Sequence, residues 1–180
     1  NVVDGADITA TTGNATVNNI TASEVKGDAV VVNAENGTAD VSGVEVNDAD
    51  GTGLDVTGKD VTISNANVTD AGEGIKANAT NGTANIENTN VDNVENGAGI
   101  NATGKDVTIT NTTVSDVNDT AIVVDAKDNA AVSNVTVADS NGTAIDINAD
   151  NATVSDVTLE NVNGTAVVSN ATNNDITNVD

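Results

Sequence analysis

The sequence predicts an all-β solenoid, a single domain over residues 1–180 wound through about eight coils of 22–23 residues, and two observations predict it. Apolar residues that follow a small or polar residue return at a near-constant interval. They are Ile8, Val30, Leu54, Ile75, Ile100, Ile122, Ile145 and Val167, spaced by 22, 24, 21, 25, 22, 23 and 22 residues, and each marks a coil start. Between them lie short runs of alternating residues interrupted by Gly, Asn and Asp, the pattern of brief strands joined by turns. One such coil cannot bury its own inner face; a stack of them can.

The alphabet agrees. Pro, Cys, Met, His, Arg, Gln and every aromatic residue are absent, and Asn, Val, Asp, Thr, Ala, Gly and Ile dominate. β-branched residues favour strands over helices, and without aromatic side chains the interior must be narrow. High charge without aromatics is also the mark of a disordered chain. The regular repeat argues against disorder here.

Each coil reads as apolar-x-apolar, a polar stretch, apolar-x-Asn and a second short apolar pair, as in Ile100-Asn-Ala-Thr-Gly-Lys-Asp-Val-Thr-Ile-Thr-Asn111 and Ile145-Asp-Ile-Asn-Ala-Asp-Asn-Ala-Thr-Val-Ser-Asp156. A longer period lies beneath. Outward threonines Thr16, Thr62, Thr108 and Thr153 are 46, 46 and 45 residues apart, with Asp40, Asn85, Ala131 and Asp175 in the intervening coils. The duplicated unit is therefore a double coil of about 46 residues. The charged members of this row argue against a regular water-ordering face.

Aligning the coils stacks Asn19, Gly43, Asn65, Asn88, Asn111, Asn134, Asp156 and Asn178 at one corner. A stacked Asn can donate to one neighbouring coil and accept from the other, and can satisfy turn backbone that would otherwise be buried unpaired. This is read as a structural asparagine ladder. With Asn65, Asn88, Asn111 and Asn134 and flanking motifs such as Val61-Thr-Ile-Ser-Asn65 and Val107-Thr-Ile-Thr-Asn111, the chain resembles right-handed parallel β-helices of the pectate-lyase type. It is most similar to the Asn-rich repeats of secreted archaeal and bacterial surface proteins. The resemblance implies a right-handed, single-stranded parallel β-helix over the whole chain; it implies little about activity.

By that resemblance, members that cleave polysaccharides use an Arg or Lys base beside calcium, or a cluster of aspartates. This chain has no Arg and no His, and nothing interrupts the repeat to build a cleft. No catalytic residue is assigned and an enzyme is not expected; a polysaccharide-binding or -cleaving β-helix is kept as an alternative. A second column, Glu24, Asp48, Asp70, Asn93, Asp116, Asp139 and Asn161, reads as a solvated acidic corner. Calcium bridging by Glu24, Asp48, Asp70, Asp116 and Asp139 is the sharper alternative, because stacked carboxylates repel and hard oxygen ligands suit that ion. No other cofactor is implied.

Fourteen Asn-x-Thr sequons occur. Those at Asn19, Asn111 and Asn134 fall in the ladder and are expected to be shielded. The turn sequons Asn36, Asn81, Asn141 and Asn163, each followed by Gly-Thr, are the candidate glycan acceptors in a secreted host.

Twenty-eight acids against five lysines give a net charge of −23. Such a surface repels nucleic acid and anionic membranes, no apolar run is long enough to insert, and high salt would relieve its self-repulsion. The expected role is a non-catalytic extracellular or cell-surface scaffold, a stalk, adhesin shaft or filament segment. Its partner would be itself, stacked end to end, or neighbouring domains of a longer chain. A designed or consensus repeat is the alternative, given the narrow alphabet. The sequence starts at Asn1 without a leader and carries no recognisable caps, which suits a processed, excised or synthetic segment of a continuous solenoid.

Overall fold

A computed structural model describes residues 5–180 as strands joined by short turns, with no helix among them. In chain order they are β1 (Ala6–Thr9), β2 (Ala15–Val25), β3 (Val30–Ser64), β4 (Asn67–Ala79), β5 (Thr83–Glu87), β6 (Asn90–Val94), β7 (Ile100–Val117), β8 (Ile122–Ser140), β9 (Ile145–Glu160) and β10 (Val167–Val179). Every pairing is parallel. Parallel neighbours need a crossover; here the crossover is the rest of the coil. The chain is thus a parallel β-helix of about eight turns, and β3, 35 residues long, runs through more than one of them.

Register aligns like with like. Leu54 pairs with Ile75, Ile75 with Ile100, Ile100 with Ile122, Ile122 with Ile145 and Ile145 with Val167. A second inward column runs Ile63, Ile86, Ile109, Val132, Val154 and Ile176. A third runs Val68, Val91, Val114, Val137 and Leu159. These columns meet in one narrow core of Ile, Val and Ala, in which Leu54, Ile75, Ile86, Ile100, Ile109, Ile122 and Ile145 are fully buried.

The first coil departs from the predicted alignment. Ala6, not Ile8, pairs with Val30, while Ile8 pairs with Val32. Alternation makes the two positions equivalent in sequence, since residues two apart share a face. Length differences among coils are absorbed in part within strands, where register slips between Ala49 and Thr52 in β3, Gly104 and Asp106 in β7, and Asp125 and Asn129 in β8. Beyond each slip the pairing resumes.

A small residue precedes every coil start from Val30 onward: Ala29, Gly53, Gly74, Gly99, Ala121, Ala144 and Ala166. A Cβ on Gly99 would lie 2.5 Å from Val114 Cγ1 and 2.7 Å from the Ala121 carbonyl oxygen. Here the opposite strand and the next coil approach the backbone directly, so glycine sets the thickness of the core.

Candidate functional site

The polar features that repeat on the surface are the corners. Asn19, Asn65, Asn88, Asn111, Asn134, Asp156 and Asn178 have φ between 50° and 55°, and Gly43 in the same column has φ 63°. Five residues later in each coil, Glu24, Asp48, Asp70, Asn93, Asp116, Asp139 and Asn161 have φ between 51° and 67°. Left-handed backbone costs most L-residues about 1–2 kcal/mol, and Asn and Asp bear it best after Gly. The two columns are therefore one device used twice per coil. These bends account for 13 of the chain's 51 Asn and Asp residues, part of its enrichment in the two; Glu24 meets the same requirement with the least suited side chain.

The ladder forms, but not as a buried one. Asn111 Nδ2 donates to Asn88 Oδ1 at 3.3 Å, Asn134 to Asn111 at 2.6 Å and Asn178 to Asp156 at 3.0 Å. Every member of the column is exposed apart from Gly43. Corner backbone is paired by the next coil, with the Asn65 and Asn88 amides donating to the Glu87 and Thr110 carbonyls, so the side chains are not needed for that task. The expectation that Asn19, Asn111 and Asn134 are shielded is corrected accordingly. A left-handed corner turns its side chain outward, away from the apolar columns.

The acidic column makes the same bonds. Asn93 Nδ2 donates to Asp70 Oδ1 at 2.6 Å and Asn161 to Asp139 at 3.0 Å. Asp48, Asp70 and Asn93, with Asp50 and Glu95, line a shallow concavity of about 370 Å³. Among the described residues no three carboxylates converge closely enough to hold a metal ion. Interleaved Asn amides already engage part of the acceptor set that calcium would use. Melting temperature is therefore expected to rise equally in NaCl and CaCl₂ at matched ionic strength, through screening alone. A larger gain in calcium would instead support bridging by Glu24, Asp48, Asp70, Asp116 and Asp139.

A further ladder was not apparent from sequence. Asn129 donates to Asp106 at 2.5 Å, Asn151 to Asn129 at 3.1 Å and Asn173 to Asn151 at 2.8 Å, linking four successive coils. In all these bonds the donor belongs to the later coil, so the ladders have a direction. Among the described residues, three ion pairs also join neighbouring coils: Lys26–Asp50, Lys76–Asp55 and Lys105–Asp128. The hydrogen bond that Lys76 Nζ donates to Asp55 Oδ2, and then the carboxylate's charge, raise the pKa of the Lys76 ammonium above the usual lysine value.

The candidate glycan acceptors part company. Asn36 lies within β3 and donates its amide to the Thr11 carbonyl at 3.2 Å. Asn141 lies in a bend but donates to Asn118 at 3.0 Å. Asn81 and Asn163 lie exposed in bends.

Residues 96–180 match the family model of the right-handed β-helix region. The match covers the later coils, and the earlier ones carry the same corners and register. No curated protein and no solved structure matches the chain. No helix of the described residues is long and apolar enough to cross a membrane.

Proposed function

We propose that the chain is a non-catalytic structural segment of an extracellular shaft, a stalk or filament in which coil continues on coil. The observation that carries this reading is the unbroken stack. From β1 to β10 each coil repeats the corners and columns of the one before, and the register slips within β3, β7 and β8 are local, with pairing resuming beyond each. The ladders support it, because their direction makes one end of a segment a donor row and the other an acceptor row. Asn178 spends its amide on Asp156 and leaves its carbonyl for a following coil. In the common register, Thr16 pairs with Asp40 as Asp175 pairs with Thr153, so Asn19 of a following segment falls above Asn178.

Such contacts are heterologous and do not close, so stacked segments give rods. Negative-stain microscopy and light scattering across concentration, in high salt, should show particles lengthening at constant width. External protease on intact source cells should remove the chain. A strictly monomeric particle at high concentration removes end-to-end stacking of copies, and resistance to external protease while cytosolic markers also survive removes the surface location.

A further inference from the structure

We propose that Asn81 and Asn163 are acceptors of an N-linked oligosaccharide, and that the folded chain excludes the other sequons; this rests on the extracellular reading. Most of the fourteen sequons have their Asn within strands. Those outside strands are Asn14, Asn81, Asn118, Asn141 and Asn163. Three of these five have a side chain already engaged. Asn14 Oδ1 accepts the Thr38 amide at 2.9 Å, Asn118 Nδ2 donates to the Glu95 carbonyl at 3.3 Å, and Asn141 Nδ2 donates to Asn118 Oδ1 at 3.0 Å. Asn81 and Asn163 have no such bond among the described contacts, and both are exposed.

Backbone geometry singles out Asn81 further. Asn78 pairs with Thr103 and Thr83 with Asp106, so five steps of chain in this coil face three in the next. On the other side, Ala79 pairs with Gly58 and Ala84 with Val61, again five against three. The two extra residues are taken up within Thr80-Asn81-Gly82, where the Thr80 amide still donates to the Gly58 carbonyl, the Gly82 carbonyl accepts from Lys105, and Asn81 between them is exposed. A transferase must hold the Asn amide and the Thr hydroxyl at +2 in one bent segment. Thr83, exposed beside this bulge, is the first residue of β5; its amide donates to Asp60 Oδ1 at 3.1 Å and the Gly82 carbonyl accepts from the Lys105 amide at 2.8 Å, so presenting Asn81 with Thr83 opens these two bonds at the strand end and leaves the rest of β5 paired.

The co-reactant is a polyprenyl-diphosphate oligosaccharide. Asn81 Nδ2 forms a bond to the anomeric carbon and loses one proton to a transferase base. The bond from that carbon to the diphosphate oxygen breaks, and the polyprenyl diphosphate leaves with the electron pair. The product is neutral at Asn81, projects from the bulge, and disturbs no ladder. Modification at Asn111 or Asn134 would instead break a coil-to-coil amide bond.

The test uses the folded 180-residue chain, a sequon-specific oligosaccharyltransferase and that lipid-linked donor, read by intact mass and glycopeptide mapping. At most two additions are expected, at Asn81 and Asn163. Asn81→Gln and Thr83→Val should each remove one, whereas Thr83→Ser should retain it, with unchanged circular dichroism in all three. Comparable occupancy at Asn111 or Asn134, or a bare Asn81 under conditions that modify the urea-unfolded chain, would overturn the proposal. Surface location is read by the protease experiment above, so the two readings fail separately.

Discussion

Ile109→Ala is expected to lower unfolding free energy by about 3–4 kcal/mol, the largest effect of any single truncation considered, whereas Ile176→Ala should cost about 1 kcal/mol or less. Both residues belong to one inward column and differ in what covers them. Ile109 is fully buried between Ile86 and Val132. Ile176 has Val154 on one side and is 45% exposed. Removing three carbons from Ile109 loses their transfer free energy and leaves a cavity that cannot collapse, because the strands around it are tied to both neighbouring coils. At Ile176 much of the side chain already meets water. Urea unfolding of the two variants measures the difference, and equal costs would mean that the coils are not packed in this register.

The location of the damage can also be read. A solenoid is stabilised by each coil and its nearest neighbours, so a weak central coil can divide one cooperative unit into two. Hydrogen exchange in Ile109→Ala should show the largest loss of protection in β7, which holds the cavity, and in β5 and β8, which pair with it on either side.

Much of this was legible in the sequence because one coil is written many times. The Thr16 to Asp175 row and the Asn19 to Asn178 column each fall on one line of the stack. What was missed follows from places where spacing is locally ambiguous. Ile8 and Ala6 are two residues apart on one face, and only pairing with Val30 separates them. The Asp106–Asn129–Asn151–Asn173 ladder begins beside the slips at Gly104 and at Asp125, where counting along the chain loses alignment. The sense of the corners was hidden for a different reason. Asn and Asp serve ladders, turns and metal sites alike, and only φ shows that Asp70 and Asn65 occupy the same kind of bend.

That identity of bends sets the second prediction. Asn111→Val should cost about 3 kcal/mol, and Asn111→Gly only about 1 kcal/mol. The wild-type residue sits at φ 52°, donates to Asn88 and accepts from Asn134. Both substitutions lose the same two exposed amide bonds, each worth about 0.5 kcal/mol at the low end of the usual range. They differ in backbone alone. Glycine enters the left-handed region freely, as Gly43 does in this very column at φ 63°, whereas a β-branched residue there clashes with its own backbone. Asn111→Asp should resemble glycine, since Asp156 holds the equivalent corner and accepts from Asn178. Chemical denaturation of the three variants decides between two accounts of the column. If Gly is as damaging as Val, the amide ladder and not the bend is what the column supplies; if Val is harmless, the corner is not left-handed in solution. The expected order, Asp and Gly mild and Val severe, would mean that the asparagines are kept chiefly because they turn the chain, with the ladder a secondary gain from stacking identical turns.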